Sequence, residues 1–179
     1  YVIEYLGLSE GIAGLSTGMV AIAYLLFAVP SGMLAHRIGR KRTIRISLMG
    51  MAVLGALMFS HQGWTLRIGA AQGVAVGTFW GLLFLFGMFW GAANTNSFPM
   101  LWQMANLGTM GAYTGVYYVF SQAAAIVTPP LTGLIVDAVG FRAIFAFAAV
   151  VMVASFLVIG RVTGGETVRG AVQSETPAS

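Results

Sequence analysis

Between residues 112 and 136, Tyr113, Tyr117 and Ser121 recur at every fourth position, and Thr114, Tyr118 and Gln122 repeat that spacing one residue on. Helical residues four apart share a face, so two adjacent stripes of phenol, hydroxyl and amide run down one element. Their chemistry is recognition without covalent change: phenols and amides exchange hydrogen bonds with hydroxyls, and the rings cover the C–H faces of a small polar solute. Tyr24, Trp80, Asn94 and Asn96 offer similar groups from other apolar stretches; together with Tyr117 and Gln122 they are the candidate lining of a solute site. The alternative use of the same groups is hydrogen bonding between helices, worth well under about 2 kcal/mol each. The apolar stretches hold no Asp pair, His cluster or Ser-His-Asp set, which argues against an enzyme. The absence of cysteine excludes disulfides and thiolate zinc sites. His36 and His61 fall at opposite ends of their stretches and cannot share a metal, so neither a metal nor any other cofactor is expected.

The elements that position these groups are built for oil. Hydrophobic residues make up 58% of the 179 and charged residues only 8%, where water-soluble domains carry about a quarter charged. Five stretches are long and apolar enough to cross a bilayer, over about 12–34, 43–60, 72–96, 112–136 and 141–160, with Arg45 and Arg142 the only charges, each beside an end. Inside lipid a single segment satisfies its backbone polar groups only as a helix, so the expected fold is all-α, a polytopic bundle embedded in the lipid bilayer. The net charge of +4 does not point to nucleic acid. The cations hug the ends of apolar runs and form no basic stripe.

Polarity differs among the five. The second and fifth stretches are apolar on nearly every face and are expected to face lipid. The first, third and fourth carry the hydroxyl, amide and indole groups and are expected to face inward. Gly73, Gly77 and Gly81 recur every four residues, as do the pairs Gly14 and Gly18, Gly87 and Gly91, and Gly111 and Gly115. Small residues so spaced permit close helix packing or sliding surfaces. Pro129 and Pro130 deprive Ala125 and Ile126 of their donors, so the fourth helix is expected to bend or open there.

Charge placement orients the bundle. Connectors at 35–42 and 97–111 and the tail after 160 share one side, which holds Arg37, Arg40, Lys41, Arg42, Arg45, Arg161 and Arg169 against Arg67 and Arg142 on the other. The positive-inside rule then places the first group in the cytoplasm of a multi-pass cell (inner or plasma) membrane protein, with the N-terminus outside and the C-terminus cytoplasmic. Glu4, Glu10 and Asp137 face outward. Residues 161–179 are expected to form a disordered cytoplasmic tail, since they are small, polar and poor in aromatics. The opening YVIEYLGLSEG has neither an initiator methionine nor the layout of a signal peptide, so a longer protein is expected.

One connector carries a family likeness. GMLAHRIGRKR, residues 32–42, resembles the signature turn of the major facilitator superfamily, Gly-x-x-x-Asp-Arg-x-Gly-Arg-Arg/Lys, which joins the second and third helices of each six-helix half. Gly32, Arg37, Gly39, Arg40 and Lys41 match, while His36 stands in place of the acid. PPLTGLIVDAVGFRAIF resembles the end of a fifth helix and the start of a sixth. The resemblance covers nearly the whole chain and implies a partial half-bundle lacking its first helix. Ser97, Pro99, Gly111, Gly115 and Gln122 fit the outline of the tenth and eleventh helices of sugar:cation symporters, with Met100 departing from it, which implies the C-terminal half. Drug antiporters of the superfamily carry Gly-Pro-x-x-Gly-Gly on the fifth helix, from which Thr128 to Gly133 depart. The implied activity is alternating-access transport of a small polar solute, a sugar by the nearer likeness, with a coupling proton or sodium ion and the remainder of the transporter as partners. A proton-coupled drug or metabolite antiporter, an uncoupled facilitator, and a fragment inactive on its own are the alternatives. In the family the acid of the turn acts as a cytoplasmic latch, a role that His36 cannot take as an anion.

Overall fold

The computed structural model describes residues 1–165, and every regular element among them is a helix. The order is α1 (Glu10–Ile38), α2 (Arg40–Arg67), α3 (Gln72–Met104), α4 (Met110–Val139) and α5 (Ala143–Arg161). All five are long and apolar enough to cross a membrane. The shortest, α5, has 19 residues, or about 28 Å at 1.5 Å per residue. The disordered tail expected over 161–179 lies, from 166 onward, outside the described residues.

The helices overrun the stretches read from hydropathy, and the largest correction concerns 35–42. That connector is almost wholly helical: α1 continues through His36 and Arg37, α2 begins at Arg40, and Gly39 alone separates them. Arginine and lysine are good helix formers. The reversal needs only Gly39 at φ 94°, a region costly for any residue with a Cβ. Gly39 N–H still donates to Ala35 O at 2.9 Å, and its carbonyl accepts from Thr43 N at 3.1 Å. Gly140, at φ 97°, ends α4 with a similar backbone, and Phe141 and Arg142 complete the turn into α5. The fourth helix is continuous through Pro129 and Pro130. Within the same stretch, Thr132 Oγ1 donates to Thr128 O or Pro129 O, each at 2.9 Å.

The packing order also departs from expectation. The apolar second helix was expected to face lipid, yet α2 packs along α3 on one side and α5 on the other, while α1 packs along α3. Ser47, Met51, Met58 and His61 on α2 are each buried. The reason is a set of small residues that lets neighbours come close. A Cβ on Gly50 would stand 2.8 Å from the Phe89 ring, and one on Gly55 would stand 3.0 Å from Phe145 O. Conversely, among the described residues α4 touches only α3 and α5, lightly, and none of its residues is buried. Helix α5 packs along α2 and likewise has no buried residue, with Val150, Leu157 and Val158 exposed.

Of the glycine pairs, only Gly87 and Gly91 are in tight helix–helix contact. A Cβ at Gly87 would lie 2.5 Å from Val20 O, and one at Gly91 would lie 3.2 Å from Tyr24 Cα. Gly73, Gly77, Gly81, Gly14, Gly18, Gly111 and Gly115 meet nothing within 4 Å. Two substitutions on α3 therefore part company. Gly87→Ala is expected to lower the stability of the protein in detergent by about 1–3 kcal/mol through overpacking against α1 backbone, whereas Gly77→Ala should leave the melting temperature unchanged or slightly raised. Equal melting of the two variants would show that the α1–α3 seam is not packed as described.

Candidate functional site

The six candidate lining residues divide among three surfaces. Tyr24 and Trp80 sit at the seam of α1 and α3. Tyr24 packs over Gly91, and Trp80 Nε1 donates to Ser16 Oγ at 2.9 Å. Asn96 is buried, and its Nδ2 donates to Ala92 O one turn back at 2.8 Å. Asn94 is exposed and lines a cleft of about 580 Å3 between α2, α3 and α5, together with Trp90, Ser97 and Ser155. Tyr117 and Gln122 lie on α4, where the Tyr117 ring meets Phe98 at 5.2 Å and Tyr118 at 5.6 Å between centroids. Gln122 is exposed.

Most polar side chains along α1, α2 and α3 are satisfied locally. Ser16, Ser47, Thr65, Thr78 and Ser97 each reach the carbonyl of the residue four positions earlier. A hydroxyl turned back on its own helix offers a solute less than one turned out. On α4, by contrast, Tyr113, Tyr117, Tyr118, Ser121 and Gln122 form no side-chain hydrogen bond among the described residues. Thr114 Oγ1 accepts from Trp102 Nε1 at 3.4 Å.

Two further polar clusters lie at the ends of the bundle, the first of them not indicated by residue spacing. The first lies at the end of the bundle formed by residues 1–8 and the start of α3. His61 is fully buried, with Nδ1 3.0 Å from the Tyr1 hydroxyl and Nε2 3.0 Å from Thr78 Oγ1. The hydroxyl proton of Thr78 is directed at Val74 O or Ala75 O, at 2.8 and 3.0 Å, so its oxygen accepts from Nε2–H. In the neutral ring Nδ1 is then the acceptor, and the Tyr1 O–H donates to it. Burial pushes the Tyr1 phenol above its ordinary range, against the opposing pull of Arg142, which favours the protonated donor this arrangement needs. The Tyr1 ring also stacks near Phe79 at 4.8 Å and Phe145 at 5.3 Å. Alongside, Gln72 Nε2 donates to Leu6 O at 2.8 Å, and Arg142 donates to Phe59 O from Nε and Nη2. Glu4 lines a cleft of about 430 Å3 there with Gln62, Thr65 and Gln72. A histidine directly after the second apolar stretch is the available sequence signal.

The second cluster is at the signature turn. Lys41 Nζ donates to Gly160 O at 3.1 Å and to Val162 O at 2.6 Å, where α5 runs out of backbone partners. His36 and Arg37 are exposed beside it, Gly32 and Arg40 are half-buried, and a Cβ on Gly32 would meet nothing within 4 Å.

Five spanning-length helices joined by such short turns define a multi-pass membrane protein. Residues 1–178 match the Major Facilitator Superfamily, and the chain belongs to that family. It is similar to a protein described as "Putative tartrate transporter" from Agrobacterium vitis, at 24% identity over 140 residues, 77% of this chain and 29% of that relative. The chain thus spans less than a third of that relative's length. No solved structure matches.

Each cluster generates a test. Thr78→Val keeps the side-chain shape but removes the acceptor of a buried N–H, and should lower stability by about 1–3 kcal/mol in thermal melts. Lys41→Met keeps the stem but uncaps α5. Backbone amide exchange over 160–165 is expected to accelerate at least about tenfold, the weight of one charged hydrogen bond, with exchange in α1 unchanged.

Proposed function

We propose that the chain is part of a secondary transporter that carries a small hydroxylated solute across the membrane by alternating access, the solute being a sugar or a hydroxy acid such as tartrate. The observation that carries this reading is the row of unbonded phenol, hydroxyl and amide groups on α4, a spanning helix with no buried residue, in a chain of this superfamily. Tyr117 and Gln122 are the principal solute contacts in this reading. Phe98 and Tyr118 pack against the Tyr117 ring, whereas Tyr24, Trp80, Asn94 and Asn96 lie on other surfaces and are not part of this site. Sugars and tartrate share adjacent hydroxyls, which neutral donors and acceptors recognise; the relative's description is the specific observation that favours the acid. A carboxylate would need a cation, and a coupling proton or sodium ion would need a titratable or anionic group. Both would be supplied by the rest of the transporter, facing α4 across the solute path.

Uptake by the full-length protein in proteoliposomes tests the assignment. Tyr117→Phe and Gln122→Ala should each raise the half-saturating solute concentration about threefold to tenfold, as expected for one lost hydrogen bond. The double variant should lose more than either. A double variant that takes up solute as the parent does would reject the α4 site. Competition of uptake by glucose-type sugars against tartrate identifies which solute is carried.

A further inference from the structure

Arg42, Arg45, Ile46 and Met49 follow one another at spacings of three, one and three, which keeps them on one face of α2, and with Phe156 of α5 they line a cleft of about 340 Å3. The cations at this end of the bundle are used differently. Lys41 is held by the carbonyls of Gly160 and Val162. Arg45 lays its guanidinium over the Phe156 ring, with Cζ 4.5 Å from the centroid, and its Nε is buried without a hydrogen-bond partner. Neither Arg42 nor Arg45 has an anionic partner among the described residues. The guanidinium of Arg45 is thus held by its face, and its edge has no acceptor among the described residues.

The floor of the cleft is apolar and open. Ile46 is 49% exposed and Met49 39%, and Val53 continues the same strip at 53%. The whole surface lies between two apolar helices, at the cationic end of spanning segments, where headgroups meet hydrocarbon. A ligand that satisfies it must be anionic at one end and hydrocarbon below. A small soluble anion would use the arginines and leave the strip bare; a neutral lipid would use the strip and leave the arginines without acceptors.

We propose that this cleft binds the headgroup of an anionic glycerophospholipid, its phosphate bridged by Arg42 and Arg45 and one acyl chain lying along Ile46, Met49 and Val53. Arginine suits the role because its planar fork pairs two N–H groups with two phosphate oxygens. Phe156 fixes Arg45 in the orientation that the headgroup requires. Because Lys41 ties the end of α5 to the start of α2, the lipid bridges a seam already joined by the protein.

Native mass spectrometry of the full-length protein with added phosphatidylglycerol or phosphatidylcholine tests the site. Phosphatidylglycerol should be retained in preference. Arg42→Gln and Arg45→Gln should each weaken its retention about fivefold, and together about thirtyfold, the weight of one cation per anionic surface contact. Phosphatidylcholine retention should not change, and Arg67→Gln, at the opposite end of α2, should alter neither lipid. The exposed substitution Ile46→Glu, which leaves both arginines in place, should also expel phosphatidylglycerol, so the site remains testable if the arginine variants fold poorly. Equal loss of both lipids in the arginine variants, or displacement of phosphatidylglycerol by excess inorganic phosphate, would overturn the proposal. So would retention that appears only after removal of residues 166–179, whose Glu166 and Glu175 would then be the occupants.

Discussion

Every feature of this bundle follows from the requirement that backbone amides and carbonyls in hydrocarbon find partners within the protein. Five uninterrupted helices meet it, and the joints between them are short because each non-helical residue leaves polar groups to be satisfied elsewhere. Gly39 reverses the chain in a single residue and Gly140 begins a three-residue joint, each still donating to the carbonyl four positions back. Where a helix does end, at Arg161, the exposed carbonyls are met by Lys41 from another helix. The signature turn is thus a helix-capping device as well as a block of charge that cannot enter oil.

The same requirement explains what was legible in the sequence and what was not. The five spans are visible because hydropathy reports the solvent directly, and the superfamily is visible in the turn Gly32 to Arg42. The helix ends are not visible, because arginine and lysine signal the membrane boundary and yet extend a helix readily; hydropathy places a connector where the backbone keeps coiling. The position of α2 was also hidden. An all-apolar helix faces lipid or lies at the centre of a bundle, and hydropathy does not separate the two. Small residues do: Gly50 and Gly55, one beneath the Phe89 ring and the other against the α5 backbone, mark α2 as the helix that its neighbours grip. Spacing alone misled for Gly73, Gly77 and Gly81, which recur regularly although an added Cβ at each would meet nothing within 4 Å among the described residues.

Polar residues follow a parallel logic. In water an exposed serine is neutral as a signal, but in a spanning helix it must bond something, and its own carbonyl one turn back is the nearest acceptor. Composition counts such a hydroxyl as lining when its proton is already placed. Asn96 is the clearest instance, an amide read as solute-facing that is buried against Ala92 O. Trp80 is another, since its indole N–H ties α3 to α1 through Ser16. His61, read only for its metal-binding potential, links the N-terminal segment to α2 and α3 through both ring nitrogens.

These allocations divide the described bundle into two parts with different mechanical character. Helices α1, α2, α3 and α5 are joined along small-residue seams, tied at one end by Tyr1, His61, Thr78 and Arg142 and at the other by Lys41. Moving one of them past another would break hydrogen bonds at an end and force backbone atoms already in contact at Gly87 or Gly55 apart. Helix α4 has neither restraint. It touches α3 and α5 lightly, carries unbonded polar groups along its middle, and is anchored chiefly by rings at Phe98, Tyr117 and Tyr118. A transporter needs one body rigid enough to move as a unit and a surface whose bonds are unmade until solute arrives. The small-residue seams give four of the helices that rigidity, and the stripe on α4 consists of polar groups with no partner among the described residues, the condition on which the proposed solute contact rests.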